Sequence, residues 1–332
     1  MENLEATDEN IREEIKNLSK KFASLTEEIS RQIFGQQQVI ELSIITLMAG
    51  GHALLIGVPG LAKTKLAETL GGVFGLDEKR VQFTPDLMPA DILGSEILEK
   101  DASGQQHFQF LKGPVFSQLL MADEINRASP RTQSALLQAM QEKRVTIAGA
   151  TYELPEPFHV LATQNPIEQE GTYPLPEAQL DRFLLQINVD YPDEATERRI
   201  LLETTDNRSH KVETVLSPQE LIEVQKLVRD IPVTDQTIDA ILSLVRQARP
   251  ESTDNNLVRS HVAWGPGPRA SQALILAARA RAFLQGRFSP SVDDVIALAP
   301  AVLQHRMSVS YSARAEGVTV TTIINSLLEE LK

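Results

Sequence analysis

The sequence contains no cysteine in its 332 residues, and this absence limits the chemistry that the chain can carry. Without thiols, neither a disulfide bond nor a thiolate metal site can form, which suits a reducing compartment. The six histidines are scattered without the spacing of metal ligands, so we interpret them as structural or surface residues. The sequence thus gives no sign of a metal centre built from cysteine or histidine.

Basic residues are scarce relative to acidic ones. Lysine and arginine together number 32 against 45 aspartates and glutamates, which gives a formal net charge of −13. This balance argues against a nucleic-acid-binding protein that relies on a broad basic surface, although it does not exclude a local basic channel in an assembly. Nucleic acid is therefore not an expected partner.

Long hydrophobic runs are absent as well. The most apolar stretch, residues 44–58, is interrupted at Gly50, Gly51 and His52 and is too short to span a bilayer. The N-terminus is acidic and does not have the pattern of a signal peptide. We expect a cytoplasmic protein without membrane insertion, and the length suggests roughly two domains.

The feature that organises the chain is a glycine-containing loop between an apolar run at 52–56 and a helical pattern that begins near residue 63. A strand, such a loop and a helix start are the context of a phosphate-binding loop. Glycine lets the backbone approach phosphates, and the first N–H groups of the helix face an anion. The predicted binding residues are Gly57, Val58, Pro59, Gly60, Leu61, Ala62, Lys63, Thr64 and Lys65.

Two side chains of this loop have specific predicted contacts. Lys63 would reach the outer phosphates of a bound nucleotide, and the Thr64 hydroxyl would bind Mg²⁺. Ala62 stands where the general loop has its second glycine, and alanine fits there if the residue is already helical. The alternative is a chance glycine-proline turn before an ordinary helix.

Two carboxylates follow a later apolar run. Asp123 and Glu124 end the predicted strand at 119–124, and neighbours at a strand end point to opposite sides. Hydrolysis of a nucleoside triphosphate needs one carboxylate for magnesium and a group that activates water. We assign Asp123 to the metal and Glu124 to the general base. An acidic strand terminus without function is the alternative for the pair alone.

Three further polar residues are candidates for the same chemistry. Asn165 ends the next buried strand at the sheet edge where ligands collect, and its amide could hold the attacking water and the terminal phosphate. Arg182 and Arg269 are candidates for stabilising transition-state charge. Taken singly, each has a plainer interpretation: a turn residue for Asn165, and an ion pair or a helix-start charge for the arginines.

The remaining pattern predicts an α/β fold. Apolar strands alternate with helical segments up to about residue 203, which is typical of a parallel sheet covered on both faces. Hairpins are predicted at 95–111 and 145–154, and a short helix after residue 113. A polar stretch at 204–213 marks a predicted domain boundary, and everything after it has helical character. Apolar residues at helical spacing predict one or two amphipathic helices within 4–29, which we interpret as a packing arm rather than a partner-binding helix.

These motifs together resemble the AAA+ ATPases, and specifically the MoxR family. The matching stretches are 57–64, 122–128, 162–166 and 176–183, and the resemblance covers roughly residues 30–332. Alanine at position 62 is usual in this family. The resemblance implies an AAA+ P-loop NTPase core with a five-stranded parallel sheet flanked by helices, followed by an all-α lid domain.

The resemblance also implies boundaries and roles. The arm would span 1–29, the ATPase core 30–203 and the lid 214–332, with a helix-2 insert at about 92–112 and a pre-sensor-1 hairpin at about 144–155 facing a ring's central channel. Asn165 would be sensor 1, Arg182 an arginine finger and Arg269 sensor 2. The adenine site would be lined by Ile33, Phe34 and Gly35.

The predicted function is that of a Mg-dependent ring ATPase, a hexamer by resemblance, with a chaperone-like role. Such proteins often act on partners that carry a von Willebrand factor type A domain, in complex maturation or metal-cofactor insertion. The alternatives are a nucleic-acid motor of the same clade, a magnesium-chelatase-like ATPase subunit and a non-enzymatic scaffold. The scaffold is disfavoured because the phosphate loop, both carboxylates and Asn165 are all intact.

Overall fold

The computed structural model describes Leu18 and residues 20–100, 106–167, 171–204 and 212–331. In chain order the elements are α1 (20–30), α2 (Gln37–Met48), β1 (Ala53–Ile56), α3 (Lys63–Val73), β2 (Glu78–Gln82), α4 (Pro89–Leu93), β3 (Gly94–Lys100), β4 (Gln106–Lys112), β5 (Leu119–Asp123), α5 (Pro130–Glu142), β6 (Arg144–Ile147), β7 (Ala150–Glu153), β8 (His159–Gln164), α6 (Glu177–Leu180), β9 (Leu185–Asn188), α7 (Glu194–Thr204), α8 (Pro218–Asp230), α9 (Asp235–Gln247), α10 (Asn256–His261), β10 (Val262–Trp264), α11 (Pro268–Leu284), α12 (Val292–Leu303), β11 (Ser308–Val309), α13 (Tyr311–Ala315) and α14 (Val320–Leu331). Two 3₁₀ turns lie at Ile125–Arg127 and Pro250–Ser252.

A five-stranded sheet forms the centre of the chain, with strand order β2-β5-β8-β1-β9. All four strand pairs are parallel, and the register aligns Gln82 with Asp123 and Ile56 with Gln164. The carboxyl ends of β1, β5 and β8 therefore meet at one edge of the sheet. The predicted five-stranded parallel sheet is confirmed.

The period-two alternation of the strands divides their apolar side chains between two cores. Leu55, Met121 and Leu161 belong to the core that also contains α2 and most of the C-terminal helices. Leu54 and Leu120 point to the other core, which is closed by α5 and the β6–β7 hairpin. Helices cover both faces, as continuous apolar strands require.

Both predicted hairpins are present. Strands β3 and β4 pair antiparallel from Gly94 opposite Lys112 to Lys100 opposite Gln106, and the predicted turn at 101–104 lies outside the described residues. Strands β6 and β7 pair from Arg144 opposite Glu153 to Ile147 opposite Ala150. The β3–β4 hairpin exposes large apolar side chains to solvent, namely Ile97, Leu98, Phe108 and Leu111.

Three details differ from the sequence-based expectations. Residues 114–118 form turns and bends rather than a helix, because the Val115 amide donates to Ile92 O in α4 and the Phe116 amide donates to Gly113 O. The sequence predicts the second strand at 81–83, whereas β2 runs from Glu78 to Gln82, because it is paired with β5 over that length. The C-terminal part is not entirely helical, since β10 and β11 form a small antiparallel ribbon.

Helix α1 packs into the main core. Phe22, Leu25 and Ile29 are fully buried. The Phe22 ring lies 5.9 Å from that of Phe283 in α11, edge to face, and 6.5 Å from that of Phe74 after α3. The predicted packing role is thus confirmed for 20–30, while 1–17 and residue 19 lie outside the described residues.

The sequence Ser-Pro-Gln-Glu at 217–220 predicts a capping box, and the first helix of the C-terminal part begins there. The Ser217 hydroxyl accepts a hydrogen bond from the Glu220 amide at 3.3 Å, and the Glu220 carboxylate accepts one from the Ser217 amide at 2.8 Å. This capping box and Pro218 at the first helical position fix the start of α8. Among the described residues, no helix is long and apolar enough to cross a membrane.

Two buried histidines connect β1, β8 and α8. His52 Nδ1 accepts from the Val160 amide at 3.0 Å, and His159 Nδ1 donates to Gly51 O at 2.8 Å. His159 Nε2 accepts from the Gln225 amide at 3.0 Å. Burial lowers the pKa of His52 to about 3 and that of His159 to about 4, so both rings are neutral at pH 7.

This pair predicts a pH dependence of stability. In the unfolded chain each imidazole titrates near its ordinary pKa of about 6.5, so below that value the unfolded state binds more protons than the folded state. The contribution of the neutral histidines to the free energy of unfolding is complete above pH 6.5. It is lost as the pH falls toward 4, by about 1.4 kcal/mol per pH unit for each ring. Between pH 7 and pH 5, the free energy of unfolding in urea should fall less for His159→Gln than for the wild type. The exposed His107 provides the control His107→Gln; equal losses in all three proteins would refute the assignment.

Candidate functional site

The phosphate loop lies between β1 and α3 and is fixed by close backbone contacts. The Gly57 amide donates to Gln164 O at 3.3 Å, and a Cβ at position 57 would lie 2.5 Å from Val189 O, so only glycine fits. Gly60 has a positive φ of 85° in open space. The loop is therefore narrow at its start and open where a ligand would enter.

Ala62 does not have the helical backbone that we expected. It precedes α3 with φ 56° and ψ 20°, in the left-handed region that costs a non-glycine residue roughly 1–2 kcal/mol. The reason is geometric, because the chain reverses here to enter α3 at Lys63. The strain lies at the point where the loop meets the helix, and strained backbone clusters at functional sites.

The Lys63 amine is held inside the loop. It donates to Gly57 O and Val58 O, each at 2.7 Å, and the side chain is half-buried. Burial lowers the pKa of this amine, while the negative charges of Asp123 and Glu124 oppose that shift. The ammonium thus lies between the loop carbonyls and the field of two carboxylates.

Asp123 ends β5 and has a partner on each oxygen. Its Oδ1 accepts from the Thr163 hydroxyl at 2.6 Å, and its Oδ2 accepts from the Arg80 guanidinium at 2.6 Å. Thr163 is on β8, next to β5, and Arg80 is on β2, on the other side of β5. The neighbouring strands therefore set the orientation of this carboxylate.

Glu124 lies just past β5 with a left-handed backbone, φ 54°. Its amide donates to the Thr163 hydroxyl at 2.8 Å. Its carboxylate accepts from Gln82 Nε2 at 2.7 Å and from Arg127 Nη1 at 3.0 Å. Because β5 ends at Asp123, Glu124 lies in a left-handed turn and not at a strand position, so the alternation of strand side chains does not apply to it.

One cleft of about 540 Å³ contains most of the predicted site, and we name it the loop cleft. Its lining includes residues 59–65 of the loop together with Asp123, Glu124, Thr163 and Asn165. Asn165 is 6% exposed, and its Oδ1 accepts from the Ile167 amide at 3.1 Å. The structure therefore brings Lys63, Thr64, both carboxylates and Asn165 to one place.

The oxygen ligands available in the loop cleft fit Mg²⁺. The Thr64 hydroxyl and the Asp123 carboxylate line the same cleft, and magnesium prefers hard oxygen ligands with only one or two from the protein. Within the described residues, no three His, Cys, Asp or Glu side chains converge as a dedicated metal cage. The donor set thus matches a magnesium ion that a nucleotide brings with it.

Arg182 and Arg269 lie together in a second cleft, which we name the arginine cleft and which shares no lining residue with the loop cleft. Arg269 Nη1 lies 3.7 Å from Asp181 Oδ2. The Arg182 side chain is half-buried and has no hydrogen-bond or ion-pair partner among the residues that the structure describes. The chain thus does not bring either arginine to its own phosphate loop.

The predicted adenine residues also lie outside the loop cleft. Ile33 is 2% exposed in the main core, and the Phe34 ring is covered by the Arg199 guanidinium at 4.7 Å. Gly35 has a φ of 69°, and a Cβ there would lie 2.4 Å from the Thr196 side chain. Phe34 and Gly35 therefore contact α7, whereas Ile33 belongs to the main core.

Sequence reasoning missed the residues that orient the carboxylates. They are Thr163, Arg80, Gln82 and Arg127. Thr163 lies inside the stretch 162–166 that carried the resemblance, and Gln82 lies directly opposite Asp123 in the register of β2 and β5. Only the strand register reveals Thr163, Arg80 and Gln82, because β2, β5 and β8 are separated by dozens of residues in the chain. Arg127, in contrast, is only three residues from Glu124.

Comparison with known proteins identifies the fold family. Residues 52–185 match the model of the ATPase family associated with various cellular activities (AAA), and residues 255–327 match the AAA lid domain. The chain is 44% identical over 303 residues to Chaperone MoxR1 of Mycobacterium tuberculosis, covering 91% of this chain and 79% of the relative. The chain belongs to the MoxR family of AAA+ ATPases.

Two further similarities agree with this assignment. The chain is 31% identical over 302 residues to Protein MoxR of Methylorubrum extorquens, covering 86% of this chain and 87% of the relative. A crystal structure of a proposed ATPase from Cytophaga hutchinsonii superimposes with a TM-score of 0.89 at 38% identity, covering 99% of this chain and 98% of that one. This MoxR-family member is thus a nucleotide-binding ATPase with a chaperone-like family role.

The position of Thr163 predicts the effect of one isosteric change. Thr163→Val removes the hydroxyl that bonds to Asp123 and to the Glu124 amide, which leaves two half-buried polar groups without a partner. We expect the free energy of unfolding in urea to fall by about 1–3 kcal/mol. Thr163→Ser keeps the hydroxyl and should lose less. A valine variant as stable as the serine variant would contradict this role.

Proposed function

We propose that this MoxR-family protein is a Mg-dependent ring ATPase whose active sites lie between subunits and whose work is the remodelling or activation of partner proteins. One observation carries the proposal: the loop cleft holds a phosphate loop, two carboxylates and Asn165, whereas Arg182 and Arg269 lie in a separate cleft. A complete hydrolytic site then needs the arginines of a second copy.

Within the loop cleft the roles follow from the contacts. Lys63 would leave the loop carbonyls for the outer phosphates, because a phosphate is the stronger partner for an ammonium. Thr64 and Asp123 would hold magnesium, which neutralises negative charge on the phosphates. To hold the ion, the Asp123 carboxylate would need to be released from Arg80, and its bond to Thr163 would keep it oriented.

Glu124 is the proposed general base. It would accept a proton from the attacking water through the carboxylate that now contacts Gln82 and Arg127. Both contacts are made to Oε2 and orient the carboxylate, so the proton would go to Oε1. Asn165 would position the water and the terminal phosphate from the neighbouring strand end.

Arg182 and Arg269 would act on the nucleotide of the adjacent subunit. Both line the arginine cleft, and neither lines the loop cleft of its own chain. The assembly we propose is a homo-hexamer with functional units at 30–203 and 214–332. The β3–β4 hairpin, within 92–112, and the hairpin within 144–155 would face its channel. The adenine contacts would come from Ile33, Phe34 and Gly35.

The proposed clients are proteins, and some of them would carry a von Willebrand factor type A domain. Maturation of a complex or insertion of a metal cofactor would be the outcome of their remodelling. One relative is named a chaperone, which agrees with this class of work. The net charge of −13 disfavours the alternative of a nucleic-acid motor, and a chelatase-like subunit would instead copurify with a chelatase complex. A cytoplasmic location stays a prediction.

The base assignment predicts a variant that binds but does not turn over. Glu124→Gln keeps the shape and one acceptor for Gln82 but loses basicity. Calorimetry should give an affinity for Mg-ATP near that of wild type, while phosphate release should be nearly absent. The same variant should retain clients in a pull-down with ATP. Hydrolysis at the wild-type rate would move the base to another residue.

The shared site predicts complementation between two inactive variants. Lys63→Ala should lose ATP binding, and Arg182→Ala should bind ATP but hydrolyse it about 10³- to 10⁵-fold more slowly, as expected for an arginine supplied by a neighbour. A mixture of the two should regain part of the activity, because some interfaces pair an intact loop with an intact arginine. Mixed rings that form without any recovery would rule out action across the interface.

A further inference from the structure

The C-terminal end of α12 contacts the segment that carries Arg182 through three consecutive residues. Gln304 Nε2 donates to Gln186 O at 2.7 Å, and Gln304 Oε1 accepts from Asn188 at 2.9 Å. His305 Nε2 donates to Phe183 O at 3.1 Å, and Arg306 follows. A helix of the C-terminal part therefore fixes the backbone just after Arg182 and along β9.

Arg306 makes the densest of these contacts. Its side chain is 2% exposed, and its Nε donates to Asp181 Oδ1 at 2.7 Å. Its two terminal nitrogens donate to Phe183 O at 2.6 Å, Leu184 O at 3.1 Å and Val302 O at 2.6 Å. The carboxylate before Arg182 and the two carbonyls after it are thus bound by one guanidinium.

Stability alone is a weak reason for such an arrangement. Removing a guanidinium and a carboxylate from water is costly, and apolar replacement of a buried ion pair is often neutral or stabilising. A guanidinium carries five N–H donors in one plane, so it fixes the geometry of several acceptors at once. Apolar packing does not do this. The acceptors here surround Arg182, so the geometry that is fixed is that of its backbone.

Asp181 extends the same network to the second arginine. Its Oδ1 accepts from Arg306 at 2.7 Å, and its Oδ2 lies 3.7 Å from Nη1 of Arg269 at the start of α11. Arg269 is half-exposed and Arg182 is the next residue in the chain after Asp181. Asp181 is therefore linked to Arg269 through its carboxylate and to Arg182 through the chain.

We propose that Arg306 and Asp181 are positioning residues that hold Arg182 and Arg269 in a fixed relation, so that one subunit presents both arginines together to the nucleotide of its neighbour. The inference rests on the proposed function, since it presumes that these arginines act across an interface. Arg306, a buried residue that touches neither nucleotide nor metal, would thereby act in the subunit that supplies the arginines.

The test uses subunit mixing with conservative variants of the full chain. Arg306→Lys keeps the charge but loses the fork, and Asp181→Asn keeps the size but loses the charge. Arg287→Lys is the matched control, because Arg287 contacts fully buried Asp294 near the other end of α12, far along the helix from Arg306. Assembly of every variant is first checked by size-exclusion chromatography.

We expect kcat for ATP hydrolysis to fall about 10- to 100-fold in Arg306→Lys and Asp181→Asn, as for a displaced catalytic group, with KM for ATP changed less than about twofold. Mixing either variant with Lys63→Ala should restore activity to the level that Arg182→Ala reaches with Lys63→Ala. Mixing either with Arg182→Ala should restore none, since both partners then lack a well-placed arginine. Arg287→Lys should keep its kcat within about twofold.

The opposite pattern would overturn the inference. Recovery with Arg182→Ala but not with Lys63→Ala would place the defect in the variant's own loop cleft. Recovery in neither mixture, or loss of assembly in both variants while Arg287→Lys assembles, would show a general folding role. An unchanged kcat would show that neither residue positions the arginines. If Lys63→Ala and Arg182→Ala themselves fail to complement in mixed rings, the proposed function fails first and this inference with it.

Discussion

The hydroxyl of Thr163 joins the two acidic residues on which the loop cleft depends. It donates to Asp123 and accepts from the Glu124 amide, so one side chain on β8 fixes both the carboxylate at the end of β5 and the left-handed turn after it. This contact exists because β5 and β8 are adjacent and parallel, with Ala122 opposite Ala162. The same edge receives the phosphate loop from β1. Strained backbone at Ala62 and Glu124 persists because the surrounding sheet determines both positions.

The separation of the two clefts follows from how the C-terminal helices pack. Buried Arg306 ties the end of α12 to residues 181–184, and Asp181 also pairs with Arg269 at the start of α11. The arginines are therefore fixed on a surface that the loop cleft does not reach. The proposed assembly would bring the arginine cleft of one copy against the loop cleft of the next.

Much of the fold was accessible from the sequence because it depends on local patterns. Apolar runs that end in polar residues marked β1, β5 and β8, and the box at Ser217 marked the start of α8. The partners Thr163, Gln82 and Arg80 were not accessible, because they depend on register between strands distant in sequence. Arg306 carries no local signal either, since a single arginine after a helix is ordinarily exposed. The left-handed backbone at Ala62 and the short β10–β11 ribbon are likewise set by tertiary contacts.

A structure of the assembled protein with ATP, determined on the Glu124→Gln form, tests the central claim most directly. The quantity to measure is the distance from the Arg182 guanidinium to the nearest nucleotide phosphate, together with the subunit that binds that nucleotide. We predict hydrogen-bond distance to the terminal phosphate bound by the adjacent subunit's Lys63, with Arg269 on the same nucleotide and the Asp181–Arg306 pair intact. An assembly in which Arg182 contacts no nucleotide, or contacts the one bound by its own chain, would contradict a site shared between subunits.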